Sequence, residues 1–159
     1  MKYVAFIRGV GPENPNMHGH KLKEFFEVLG FKNVSTLLSS GNVLFESDQE
    51  DKKALEDLIE DQLPKILGFS KTTIVRTYEQ LKNMFTANPF KGVQDVPTSR
   101  LNVTFLKNGK EVFSSIDTVH IGTVKIMAAL EKKHGKEITT RTWKTVAKII
   151  NKFEEGQKR

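Results

Sequence analysis

The first apolar segment of the chain constrains the fold more than any other feature. Residues 2–8 (KYVAFIR) are rich in strand-forming residues, and apolar side chains occupy both alternating faces, with Tyr3, Ala5 and Ile7 on one and Val4 and Phe6 on the other. Because successive side chains of a strand point to opposite faces of its sheet, both faces of this strand need cover. We therefore predict a central strand, enclosed between its own pair of helices and the carboxy-terminal part of the chain.

Helix and strand periodicity alternate after this segment. Leu22, Phe25, Phe26 and Leu29 recur at i, i+3, i+4 and i+7, which predicts one helix, and the apolar spacing across residues 55–67 predicts a second. Strands are predicted at residues 34–39, 43–46 and 72–76. The resulting order β-α-β-β-α-β is typical of the ferredoxin-like fold, an antiparallel sheet with two helices on one face.

The remainder of the chain predicts a second, smaller unit. Residues 101–106 (LNVTFL) predict a strand, residues 112–121 one or two extended segments, and residues 124–134 and 141–154 two helices. The fold class is therefore α+β: a ferredoxin-like unit over residues 1–87 packed against an α+β unit over residues 88–159 that ends in two helices.

Charge is distributed unevenly between these units. Residues 1–87 contain 11 Lys and Arg against 12 Asp and Glu, a net charge of −1, whereas residues 88–159 contain 14 against 7, a net of +7. An anionic partner is therefore expected at the second unit.

The chain has no cysteine and no apolar run near the roughly 20 residues that cross a bilayer. These features predict a cytoplasmic protein without a membrane partner.

The loop after the first strand, GVGPENPNMHGH, resembles a phosphate-binding turn only in part. Backbone N–H groups there can hold an anion, with Arg8 adding charge beside Gly9. However, Asn14 stands where a dinucleotide motif has its third glycine, and no Gly-Lys-Ser or Gly-Lys-Thr follows. His18 and His20 have no nearby third metal ligand. A connection is the favoured interpretation, with no metal, cofactor or catalytic residue predicted.

The predicted hairpin turn offers two further polar groups, Ser40 and Asn42. They are candidate ligand-binding residues if Arg8 lies against them, and otherwise satisfy the backbone of the turn. A ferredoxin-like sheet also raises RNA binding, which needs aromatic residues displayed on the two central strands. Those strands offer Phe6 and Phe45 without the accompanying basic and aromatic residues, so both are expected in the core.

The last predicted helix carries the strongest physical signal. At 100° per residue its apolar side gathers Trp143, Val146, Ala147, Ile149, Ile150 and Phe153, and its opposite side gathers Arg141, Lys144, Lys148 and Lys152. Lys125 lies upstream in the preceding helix. Such a basic ridge can track phosphates, although a solvated helix face is the alternative. Trp143 belongs to the apolar side and is expected in the core.

Several segments resemble one known family in collinear order. YVAFIRGV, SSGNVLF, VRTYEQLKNMFTANPF and KIMAALEKKHGKEITTRTWKTVAKI are similar to bacterial domain-of-unknown-function family 1697. The resemblance implies a two-part α+β fold, partly ferredoxin-like, and brings no reaction or cofactor. The matched positions include Arg8, Gly9, Ser40, Asn42 and Arg141. This chain departs from the usual RGINVGG loop and QSGN hairpin, so a ligand site built from them would be altered.

Two functions follow as hypotheses. The first is a non-catalytic binding domain whose basic surface, with Lys125, Lys144, Lys148 and Lys152, meets nucleic acid or a phosphate-bearing ligand. The alternative is an enzyme or small-ligand binder with a polar pocket between the two units near Arg8, Asn42 and Arg141. Because the sequence shows no nucleophile–base pair, metal set or phosphate loop, the non-enzymatic hypothesis is favoured.

Overall fold

The computed structural model describes residues 1–11, 13–38, 41–120 and 123–157. The chain divides into two units, Met1–Gln80 and Leu81–Arg159. Within the described residues, each unit contains one antiparallel sheet. The predicted α+β class is confirmed, and the predicted division into units of residues 1–87 and 88–159 stays a prediction.

The first unit follows the predicted order of elements. In chain order these are β1 (Lys2–Ile7), α1 (Gly19–Val28), β2 (Lys32–Leu37), β3 (Asn42–Glu46), α2 (Lys52–Ile66) and β4 (Thr73–Thr77). The strand order across the sheet is β2-β3-β1-β4. This order is consistent with the ferredoxin-like layout that the sequence predicted.

Strand β1 lies inside this sheet, paired with β3 on one side and β4 on the other. Tyr3, Ala5 and Ile7 join the core formed with residues of α1 and α2, and Val4 and Phe6 on the opposite face are equally inaccessible to solvent. The prediction of a central strand buried on both faces is confirmed. Phe6 and Phe45 are buried, as expected, and the Phe45 ring contacts Tyr3, Phe26 and Phe31.

The second unit is built around a three-stranded sheet. Helix α3 (Tyr78–Ala87) contains the division between the units, and the elements after it are β5 (Arg100–Leu106), β6 (Glu111–Ile116), α4 (Thr123–His134), β7 (Ile138–Thr142) and α5 (Trp143–Gln157). The strand order is β6-β5-β7, and α5 contacts β5 and β7. Its apolar face is buried at Val146, Ile149, Ile150 and Phe153.

Strand β7 corrects the predicted start of the last helix at residue 141. The β-branched residues of ITTRT favour a strand, and pairing with β5 satisfies their backbone groups. The Thr142 hydroxyl then accepts a hydrogen bond from the Thr145 amide at 3.2 Å, which caps the helix that begins at Trp143. Arg141 therefore belongs to a strand, and its predicted position in the final helix is wrong.

Candidate functional site

Helix α5 presents three lysines along one stripe, which we call the basic face: Lys144, Lys148 and Lys152. They are four residues apart and therefore lie on adjacent turns of the same side. Lys144 and Lys148 are exposed, whereas Lys152 is half-buried and interacts with another group. Because the opposite side of α5 is buried, these cations are held on a fixed element at the surface.

Arg141 does not belong to the basic face. It is buried in β7, where one guanidinium nitrogen donates to the Thr139 hydroxyl at 2.6 Å and to the Thr140 carbonyl at 3.0 Å. Burial disfavours the charged form and lowers the pKa of Arg141 to about 10. These contacts are with its own strand, and a role of Arg141 in ligand binding stays a prediction.

Lys125 lies on another element of the second unit. It occupies the first turn of α4 and is exposed, as are Lys132 and Lys133 in the last turn of that helix. Helix α4 therefore adds surface cations to the second unit besides those of the basic face.

Arg8 and Gly9 lie where β1 ends, beside the hairpin and beside β4. The Ile7 amide donates to the Gly41 carbonyl and the Arg8 amide donates to the Thr72 carbonyl, both at 2.9 Å. Gly9 has φ +70°, and a Cβ placed on it would lie 3.3 Å from the Lys71 ammonium nitrogen. Two cationic side chains, Arg8 and Lys71, thus belong to one end of the sheet.

Lys71 was missed by the sequence analysis, although the predicted fold contained a signal for it. In an antiparallel pair the two chains run in opposite directions. The residues that precede β4 therefore lie beside the residues that follow β1. Lys71 lies two residues before β4, just as Gly9 lies two residues after the end of β1. Pairing the predicted strands would have placed Lys71 beside Gly9, the residue after Arg8.

Asn42 and the opening loop have structural contacts of their own. The Asn42 side chain is 1% exposed and donates to the Leu37 carbonyl at 3.0 Å, across the hairpin. In the loop, the Asn16 amide side chain donates to the Leu67 carbonyl at 3.0 Å, which ties the loop to the end of α2. These bonds favour the interpretation of the loop as a connection. Ser40 lies outside the described residues.

Four aromatic rings meet in the second unit, and we call them the aromatic cluster: Phe85, Phe90, Phe113 and Trp143. Phe85 stacks on Trp143 with ring centroids 4.8 Å apart and planes 15° apart. Phe90 and Phe113 meet Trp143 nearly at right angles, at 5.0 and 6.3 Å. Phe90 is buried, Phe85 and Trp143 are half-buried, and Phe113 is 37% exposed.

The aromatic cluster was also missed by the sequence analysis. Its members come from α3, the segment after α3, β6 and α5, so no local periodicity joins them. Trp143 was expected in the core; it packs against Phe85 and Phe90 but is only half-buried, so that expectation is met in part. Its partial exposure and that of Phe113 depend on how four separate segments meet.

A cavity of about 410 Å³ opens at the other end of the first unit, between the end of α1 and the start of α2. Its lining mixes apolar side chains such as Leu29, Phe31 and Leu55 with the carboxylates of Glu46 and Asp48.

Among the described residues, no group of three or more His, Asp or Glu side chains is arranged to hold a metal ion. Within the same residues, no helix combines the length and apolar character needed to cross a membrane.

Comparison with known proteins identifies the family. The solved structure of conserved bacterial protein SP0830 from Streptococcus pneumoniae is similar, with a TM-score of 0.68 over 94% of this chain and 97% of that chain. At 17% identity the likeness concerns the fold alone. No curated protein matches the chain. A family model described as "Protein of unknown function (DUF1697)" matches residues 1–128, and the chain therefore belongs to this family, as its motifs indicated.

Proposed function

We propose that the chain binds nucleic acid without catalysing a reaction, and that the basic face of α5 contacts the phosphates. The exposure of Lys144 and Lys148 on a helix whose other side is buried carries this proposal. Cations spaced by one helical turn on a fixed element can each neutralise a phosphate and release its counterion. Binding in the cytoplasm is part of the proposal.

The charge of the whole second unit supports the same partner. Residues 81–159 contain 15 Lys and Arg against 7 Asp and Glu, a net charge of +8, whereas residues 1–80 contain 10 against 12, a net of −2. A polyanion is therefore attracted to the second unit and repelled weakly by the first.

The test is the salt dependence of binding to a labelled oligonucleotide, measured by fluorescence anisotropy. The variant Lys144→Gln/Lys148→Gln removes two phosphate contacts, and we expect the slope of log affinity against log salt to fall in magnitude by about 1.4 for a single strand. The matched control, Lys23→Gln/Lys53→Gln, removes the same charge from exposed positions of α1 and α2. Absence of binding at low salt, or equal slopes for the two double variants, would contradict the proposal.

A second candidate function is a small anionic ligand held at the end of β1. The approach of Lys71 to Gly9, next to Arg8, favours it because two cations and a glycine without a side chain can surround an anion. In the alternative form of this hypothesis, the protein converts the ligand as well as binding it. We expect inorganic phosphate to shift the backbone amide resonances of Gly9 and Thr72, and Lys71→Gln to abolish the shift. Unchanged resonances at millimolar phosphate would exclude this candidate.

A further inference from the structure

We infer that unpaired bases stack on the aromatic cluster, so that the preferred partner is single-stranded nucleic acid. This inference rests on the proposed function, because the lysines of the second unit supply the phosphate contacts. Nothing in the family description assigns a ligand to these rings.

The geometry of the cluster provides a fixed ring with an accessible surface. Phe85 covers one face of the Trp143 indole, and Phe90 and Phe113 pack at right angles to it. Phe113 lies on β6, at the edge of the described sheet, and is paired with Val103 of β5. More than a third of Phe113 is exposed. A ring held by its neighbours and open to solvent loses little freedom when a base stacks on it.

The charges around the cluster favour an anionic partner over an uncharged apolar one. Lys82 lies one turn before Phe85 on α3, Lys91 follows Phe90, and Lys144 follows Trp143, and all three are exposed. Against them stands Glu111, two residues before Phe113 on the same side of β6. Basic side chains interleaved with aromatic rings are the arrangement that proteins use to follow a single strand, since every base has a π-face.

A duplex does not offer the same contact. Its bases are already stacked on one another, and unstacking one costs a few kcal/mol. The cluster therefore adds affinity for single strands alone, whereas the basic face attracts any polyanion.

The experiment uses the intrinsic fluorescence of the full chain, because Trp143 is its one tryptophan. The chain is titrated with a 15-nucleotide oligo(dT), with a duplex of equal length, and with inorganic polyphosphate at equal phosphate concentration. We expect oligo(dT) to quench Trp143 and to bind at least 5-fold more tightly than the other two. Equal affinity for all three, with no quenching by oligo(dT), would overturn the inference and leave salt-dependent binding intact.

Two variants at the exposed ring complete the test. Phe113→Leu keeps an apolar side chain but removes the π-face, and we expect it to weaken oligo(dT) binding about 5- to 100-fold without changing polyphosphate binding. Phe113→Tyr keeps the ring and should bind oligo(dT) like the original chain, which controls for any effect of Phe113→Leu on folding. If both variants bind oligo(dT) like the original chain, the inference is wrong. If no polyanion binds at low salt, the proposed function itself fails.

Discussion

The close approach of the hairpin to the end of β1 makes Gly41 the most sensitive glycine of the first unit. Gly41 has φ +78°, and a Cβ placed on it would lie 2.6 Å from the Ile7 carbonyl oxygen and 3.0 Å from the Val10 side chain. A non-bonded Cβ atom does not approach a backbone oxygen this closely, so Gly41→Ala must displace β1 or the loop after it. Gly68 has φ +80° with nothing within 4 Å of a Cβ, which makes Gly68→Ala the matched control.

The two substitutions share one cost and differ in another. An L-residue in the left-handed region costs about 1–2 kcal/mol, which applies to both variants. Crowding adds about 1–3 kcal/mol to Gly41→Ala alone. We therefore expect Gly41→Ala to lower the free energy of unfolding by about 1–3 kcal/mol more than Gly68→Ala.

Urea denaturation followed by far-UV circular dichroism measures this difference. Hydrogen exchange at the Ile7 amide, which donates to the Gly41 carbonyl at 2.9 Å, gives a local measurement of the same effect. We expect exchange of that amide to be accelerated more in Gly41→Ala than in Gly68→Ala. Equal unfolding free energies for the two variants, with equal exchange rates at Ile7, would refute the crowding argument.

Three further predictions concern buried side chains. Asn42→Ala removes the 3.0 Å bond to the Leu37 carbonyl and should cost about 1–2 kcal/mol in urea unfolding; a neutral effect would mean that water replaces the amide. Phe45→Ala removes a ring that is 1% exposed and should lower the free energy of unfolding by about 3–5 kcal/mol. The control Val28→Ala, at a position 70% exposed, should change it by no more than about 0.5 kcal/mol. Similar losses for the two variants would contradict the assigned core. Burial lowers the pKa of Arg141 to about 10, so the folded state releases this proton before the unfolded state does. The stability of the original chain relative to Arg141→Met should therefore rise above pH 10, by at most about 1.4 kcal/mol per pH unit, and a constant difference between pH 8 and pH 11 would refute the assignment.

The architecture of the first unit could be predicted because its signals are local. The alternation of residues 2–8 and the 3.6-residue spacing around Phe25 and Phe26 depend only on near neighbours in the chain. The order of elements then limits the sheet to few arrangements, since connections are short and do not cross. The central place of β1 and the core position of Phe45 followed from these constraints.

The candidate sites were less accessible to sequence reasoning. Lys144 and Lys148 could be assigned to one exposed helix face because both lie on a single element. Arg141 was assigned to the helix because its position continues the stripe of Lys144 and Lys148, although the β-branched residues around it favour the strand that pairs with β5. The free energy that decides between strand and helix there comes from a partner more than 30 residues away in the chain.

The sequence by itself determined the α+β class, the order of elements in the first unit, the charge of the second unit and the basic face of α5. Tertiary structure alone decided that Arg141 is buried and that the aromatic cluster forms. Local patterns follow from backbone geometry that adjacent residues share. Burial, pKa and ring contacts instead depend on which distant segments the fold brings together.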